Sequence, residues 1–486
     1  MASAVETESA DGEPRIETES GGTLAARIAH RIEETVIRRG WPVGETLGSE
    51  VGLRERFGVS RSVLREAVRL VEHHQVARMR RGPNGGLFVC APDAGPATRA
   101  IVIYLEYVGT SVADLLEARL LLEPIAAGLA ADRITEEGIE TLRAILAEEF
   151  AGRDDPESSS EDPLHLMLGA LSGNAVLRLF IDVLTRLTAR YTHTSRKLSR
   201  AEVAESKAVR HEEHSAVADA VIAGDGARAQ TALAAHLESV AAWIEKYRVP
   251  RASRITGAVV EPEAVEGPGA KLAEVLAGRI HEDITERGWQ VGMVLGSETD
   301  LLTRYGVSRA VLREAVRLLE YHSVARMRRG PGGGLIVAAP EPQASVDTMA
   351  LYLEYQGVSA ADLHTVRNAI ELGIVARVTE RLTEGDPVAA ERLGRAVRRP
   401  SEEPSEDPDK GDLFHTELAA LAGNPVLSLF LSILTELFRR HAAGHEQPMP
   451  DAQAHAHILD AILRGDAGIA RHRMRRHLDT LTPGWR

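Results

Sequence analysis

Along most of this chain, apolar residues recur every three or four positions, which is the period of an amphipathic helix. Near the start, Leu24, Ile28, Ile32 and Ile37 mark one such helix over residues 24–39, closed by Gly40-Trp41-Pro42. A short helix over 49–56 stops at Phe57-Gly58, where glycine suits the left-handed turn at a helix C-terminus. Ser60 then serves as N-cap for a helix over 61–74. That helix gathers Val63, Leu64, Ala67, Val68 and Val71 on one face and Arg61, Arg65 and Arg69, four apart, on another. Residues 76–81 and 87–89 read as two strands joined by the tight turn Gly82-Pro83-Asn84-Gly85-Gly86. From 97 to 247 strand signals all but vanish. Helices are expected over 99–107, 112–132, 136–150, 163–171, 175–192, 202–223 and 227–248, with an Asp- and Ser-rich loop over 152–161, and these elements predict an antiparallel bundle.

The pattern then repeats. Residues 295–337 restate 47–89 at a constant offset, keeping LGSE, GVSR, VLREAVRL, VARMRRGP and GGL. Tyr104-Leu105-Glu106-Tyr107 returns as Tyr352-Leu353-Glu354-Tyr355, and 171–179 returns as 421–429. The second copy is nine residues shorter between His415 and His455 than the first is between His165 and His214. The expected organisation is an acidic disordered tail (1–20), a winged helix-turn-helix (21–92), an all-helical domain (93–248), a linker (249–270), a second winged domain (271–340) and a second all-helical domain (341–486). The fold class is mainly α, with two winged helix-turn-helix domains alternating with two helical bundles.

Charge narrows the function. The 57 Lys and Arg against 71 Asp and Glu leave a net charge of −14, so any DNA contact must come from local basic patches. One cysteine, Cys90, excludes an intrachain disulfide. No apolar run approaches the roughly 18 residues that cross a bilayer. The polar, acidic N-terminus is unlike a signal peptide, so a cytoplasmic location is expected.

The first constellation with chemistry is the arginine-faced helix and its hairpin, a major-groove reader with a wing. An arginine stripe is also what a solvated helix face carries. Against that reading stand Arg78, Arg80 and Arg81 on the adjoining hairpin, and the return of the cluster as Arg309, Arg313, Arg317, Arg326, Arg328 and Arg329. The run GVSR-x-x-LREA-x-R-L, followed by RRG-x-x-GG-x-x-V, resembles the N-terminal domain of the GntR family of bacterial transcription regulators, and both copies carry it. The resemblance implies DNA contacts from Ser60, Arg61, Arg65, Gly85 and Gly86, and from Ser308, Arg309, Arg313, Gly333 and Gly334. An arginine that often contacts DNA in that family is missing, because Val51 and Thr299 stand in its place.

The second constellation is histidine-rich. Glu161 and His165 are four apart, and His214 and His236 lie ten residues before and twelve after Gly224, hence level across a helical hairpin. Three imidazoles and a carboxylate suit a divalent transition ion such as zinc or nickel. His415, His455 and His477 repeat the arrangement about Gly465, but Gly411 replaces Glu161, leaving Asp412 as the nearby carboxylate and the second site in doubt. With LSGN between them, these residues resemble the FCD effector domain of FadR-like GntR regulators. That resemblance implies an aspartate and three histidines around a metal, and a small carboxylate effector beside it. Arg119, four before Glu123, and Arg367, four before Glu371, match positions that would hold the effector, although each spacing equally describes an ion pair within a helix.

Three readings follow. The first is a sequence-specific transcription regulator on a near-palindromic double-stranded operator, tuned by an effector. The others are a metal-dependent enzyme that keeps its winged domains as scaffold, and an architectural DNA-binding protein with decayed pockets. In the first, both heads of a dimer lie on one polypeptide as an intrachain pseudo-dimer, with a homodimer of four heads as the competing arrangement.

Overall fold

The computed structural model describes residues 24–82, 85–152, 162–193, 199–247, 268–328, 330, 333–383, 387–398, 413–442 and 452–481. The expected acidic tail and most of the expected linker lie outside them. The first head runs α1 (Leu24–Arg38), β1 (Thr46–Gly48), α2 (Glu50–Phe57), α3 (Arg61–His73), β2 (Ala77–Arg80) and β3 (Gly86–Val89). Ser49 caps α2 by accepting from the Gly52 amide, Gly58 ends it at φ 64°, and Ser60 caps α3 by accepting from the Val63 amide. Ile28, Ile32, Leu53, Phe57, Leu64, Val71, Leu87 and Val89 belong to the head's apolar core.

The wing is one strand richer than the pattern predicted. β1 pairs antiparallel with β3, which pairs with β2, giving the order β1-β3-β2. Gly86 belongs to this closure, since a Cβ on it would stand 2.7 Å from the Gly48 carbonyl oxygen. The second head repeats the plan with α11 (Pro268–Glu286), β4 (Val294–Gly296), α12 (Glu298–Tyr305), α13 (Arg309–Tyr321), β5 (Ala325–Arg328) and β6 (Gly334–Val337). Trp41 Nε1 donates to the Cys90 carbonyl at 2.8 Å, and Trp289 Nε1 to that of Ala338 at 2.9 Å, fastening each wing to the end of its first helix.

Each head leads covalently into a hinge helix, α4 (Ala94–Tyr107) in the first half and α14 (Pro342–Tyr355) in the second. The packing is crossed. The first head's core is completed by Leu351 and Tyr355 of α14, with the Trp41 and Tyr355 rings 5.3 Å apart. The second head's core takes in Ile103 and Tyr107 of α4, with Tyr107 and Trp289 5.5 Å apart. The recurring Tyr-Leu-Glu-Tyr is therefore a docking element for the opposite head.

The helical domains comprise α5 (Val112–Arg133), α6 (Glu136–Ala151), α7 (Pro163–Leu171), α8 (Ala175–His193), α9 (Arg200–Ile222) and α10 (Gly226–Tyr247), then α15 (Ala360–Thr383), α16 (Pro387–Arg398), α17 (Leu413–Ala422), α18 (Pro425–Ala442), α19 (Ala452–Leu463) and α20 (Ala467–Leu481). One apolar core runs through both domains, and at its centre Phe180 and Phe430 stack at 3.8 Å. Two asparagines mark an approximate two-fold relation. Asn174 Oδ1 caps α8 and its Nδ2 donates to the Asp362 carbonyl at 3.1 Å, while Asn424 Oδ1 caps α18 and its Nδ2 donates to the Asp114 carbonyl at 3.1 Å.

Candidate DNA-reading face and metal centre

On α3, burying the apolar face leaves Arg61, Arg65 and Arg69 exposed, and α13 exposes Arg309, Arg313 and Arg317 in the same way. Ser60 and Ser308 hold the two helix N-termini. A carboxylate that the sequence reading did not assign organises each stripe. Glu50, the first residue of α2, accepts from Arg61 Nε at 2.8 Å and lies 3.4 Å from Arg65 Nε, and Glu298 lies 3.6 Å from Arg313. The hydrogen bond from Arg61 holds the Glu50 carboxyl below its ordinary range. On the wings, Arg81 and Arg328 are exposed and Arg80 lies over the Phe88 ring at 4.5 Å. Arg329 lies outside the described residues. Gly85 and Gly86, like Gly333 and Gly334, sit where a Cβ would meet a backbone oxygen, so strand closure alone requires them to be glycine.

In the first helical domain, α7, α9 and α10 carry His165, His214 and His236 into one buried cluster. His236 Nε2 lies 3.2 Å from Nε2 of His165 and 3.2 Å from Nε2 of His214. Among the described residues the carboxylate in this cluster is Asp162, with oxygens 3.2 Å from His165 Nε2 and 3.8 Å from His214 Nε2. Glu161 lies outside the described residues. Asp162 precedes α7 at φ −111°, ψ 74°, and its side chain does not cap the helix. The signal was present in the duplication: Asp162 and Asp412 both stand three before their histidine. In the second domain His415, His455 and His477 converge, with Nε2–Nε2 distances of 3.2 and 3.0 Å, while Asp412 lies outside the described residues.

Behind the first cluster stands a ring of carboxylates. Glu123 pairs with Nδ1 of His165, Glu149 lies 3.1 Å from Nδ1 of His214, and Glu213 lies 2.8 Å from Nδ1 of His236. Each imidazole thus has one nitrogen backed by a carboxylate and the other turned to the centre. Electrostatics separates the members of the cluster. Burial opposes the charge on His165, but Asp162 and Glu123 outweigh it and hold the group up to about 9. Burial and the neighbouring His165 and His214 push His236 down to about 2. Asp162 is held far below the carboxylate range by His165 and His214 against the effect of burial. Three imidazole nitrogens and a carboxylate oxygen, all within 4.8 Å of one another, fit a divalent transition ion.

Arg119 and Arg367 are buried beside these clusters, each engaged by its own helix. Arg119 Nε donates to Glu123 at 2.5 Å, with Nη2 3.2 Å from His165 Nδ1, and Arg367 Nε donates to Glu371 at 2.6 Å. The ion-pair reading of that spacing is the one the geometry displays.

Two winged helix-turn-helix heads, each with an arginine-faced second helix and mounted on helical domains, define a bacterial DNA-binding regulator. The chain belongs to the gntR family of bacterial regulatory proteins, which it matches over residues 24–89 and 272–334, with FCD domains over 114–239 and 362–480. It is 32% identical over 201 residues to the HTH-type transcriptional regulator LutR of Bacillus subtilis (strain 168), covering 40% of this chain and 90% of that protein. To the HTH-type transcriptional repressor NanR of Escherichia coli (strain K12 / DH10B) it is 27% identical, covering 45% and 83% respectively. Among solved structures, Streptococcus agalactiae GntR covers 45% of this chain and 98% of its own at 24% identity, with a TM-score of 0.31. The family and its relatives are transcription regulators rather than enzymes, and no helix among the described residues is long and apolar enough to cross a membrane.

Proposed function

We propose that this chain reads one near-palindromic operator with its two heads, and that a small carboxylate effector beside a divalent metal in the helical domains sets its affinity. The observation that carries the architecture is the crossed docking of Trp41 on Tyr355 and Trp289 on Tyr107, which places both heads on one pseudo-symmetric body. A helix-turn-helix pair reads half-sites about 34–36 Å apart, one turn of DNA. In this reading Ser60, Arg61, Arg65 and Arg69, with Arg80 and Arg81 on the wing, serve one half-site. Ser308, Arg309, Arg313, Arg317, Arg328 and Arg329 serve the other. Glu50 and Glu298 orient the arginines before DNA arrives.

Asp162, His165, His214 and His236 would hold the metal, with zinc or nickel the ions of choice, and His415, His455, His477 and Asp412 would form the second set. A bound ion would supply an open coordination position for an effector oxygen. Arg119 and Arg367 add a buried positive charge on the side of each site lined by α5 or α15. One relative is named for the L-lactate dehydrogenase operon of Escherichia coli (strain K12), which makes small hydroxycarboxylates the first effectors to test.

Light scattering of the complex on a single short operator tests the architecture. One chain per site is expected, and two would reject it. On the same operator, Arg61→Ala combined with Arg309→Ala should remove about 1–3 kcal/mol of discrimination per lost base contact. An unchanged preference over random DNA would remove these residues from the reading face.

A further inference from the structure

The helices that carry the last histidine of each cluster, α10 and α20, agree on their buried faces and differ on their exposed ones. Ala229, Leu233, His236 and Leu237 of α10 are buried, as are Ala470, Met474, His477 and Leu478 at the matching positions of α20. Between those positions α10 has Gln230, Thr231, Ala232, Ala234 and Ala235, and α20 has Arg471, His472, Arg473, Arg475 and Arg476. Packing is thus satisfied without the arginines. Nor does the fold neutralise all of them, as it does others of this domain. Arg392 lies 2.9 Å from Glu417, Arg464 lies 2.8 Å from Asp460, and Arg473 of α20 itself lies 3.3 Å from Asp460. Arg471, Arg475 and Arg476 are exposed and form no ion pair with any described residue. Arg471 and Arg475 stand about 6 Å apart along the helix, and like charges at that i,i+4 spacing weaken it. In a chain of net charge −14 this face is a local exception.

We propose that the exposed face of α20 is a further nucleic-acid contact, which holds the phosphate backbone of the bound DNA molecule beyond the half-sites read by the two heads. The proposal rests on the DNA-reading function above. A guanidinium fork matches two phosphate oxygens at once, and Arg471, Arg475 and Arg476 offer three forks with no competing carboxylate. α20 contains no Trp, Tyr or Phe, so its exposed face lacks the rings that anchor protein interfaces and presents charge instead. Once the heads are docked, the rest of the same DNA meets α20 at the raised effective concentration of an intramolecular contact. Phosphate contacts position a protein without reading sequence, so this face adds affinity and leaves the choice of operator to the heads. Because α10 has no such face, the added contact is made from one side of the pseudo-symmetric body.

The test uses the full-length chain and an operator selected with it from random duplexes. Affinity is measured against salt concentration on two probes: the operator trimmed to its two half-sites, and the same operator centred in a duplex of about 450 bp, roughly three persistence lengths. The triple variant Arg471→Gln, Arg475→Gln, Arg476→Gln should flatten the salt slope on the long duplex by up to about 2.7, about 0.9 for each phosphate released. On the trimmed operator its slope, and its preference for operator over random sequence, should equal the parent's. Lysine at the same three positions keeps the charge and should keep the parent's slope, which a merely structural role would not predict. An unchanged slope on the long duplex overturns the proposal, and so does an equal loss on the trimmed operator. Binding of polyglutamate by the parent but not by the triple variant, with the DNA slopes unchanged, would reassign the face to an acidic protein. Failure of the parent to select any operator would overturn the DNA-reading function itself.

Discussion

Arg119 and Glu123 are both buried to within a few per cent, so neither charge can be relieved by water if the other is removed. Breaking a buried pair by deleting one partner costs about 3–5 kcal/mol. Arg119→Ala should lower the unfolding free energy of the metal-free protein by that order, measured by denaturant titration at neutral pH. Glu123 and Glu371 are buried, which alone would raise them, yet Arg119 with His165, and His415 with Arg367, hold both down to about 2. A depressed carboxyl stabilises the fold above its unfolded value of 4.5 and loses that contribution as pH falls toward 2. The deficit of Arg119→Ala should therefore shrink as pH is lowered through that window, because the stranded carboxyl can then take up a proton. A deficit independent of pH would mean that the arginine acts through packing alone. At this scale the sequence was legible in histidine and arginine and less so in carboxylate. His214 and His236, level about Gly224 in the sequence, lie together with His165 in one cluster. Glu161 lies outside the described residues, where the helical period that singles it out does not reach.

Helices were legible almost end to end, because amphipathic period and capping residues act within a few positions. What escaped was short or distant. β1, only Thr46–Gly48, is too brief to show alternation, and it forms because Gly86 lets two backbones approach. The partner of α14 was invisible for a different reason: Leu351 is fully buried in the core of a head that ends more than 250 residues earlier in the chain. Large-to-small changes at such sites cost about 2–5 kcal/mol. Leu351→Ala is expected to raise hydrogen exchange in α1 and α3 of the first head while leaving α11 and α13 of the second unchanged. Faster exchange in the second head would show that each head depends on the hinge helix it is joined to.

For the whole molecule, duplication was plain from the sequence, yet nothing in it decided whether each copy pairs within its own chain. The paired asparagines, Asn174 on Asp362 and Asn424 on Asp114, and the Phe180–Phe430 stack show the two halves joined along a single core. Two separate chains related by symmetry would inherit every substitution twice. In this chain each residue occurs once, so one half can drift while its twin keeps the original, as Arg475 and Ala234 already illustrate. Single substitutions thereby become an address. In hydroxyl-radical footprints on one fixed operator, Arg61→Ala alone should lose protection over one half-site, and Arg309→Ala alone over the opposite one. Symmetric fading in both variants would mean that the heads exchange places freely on the DNA. If the losses are one-sided, the molecule has a left and a right, and an operator that is nearly a palindrome acquires a direction.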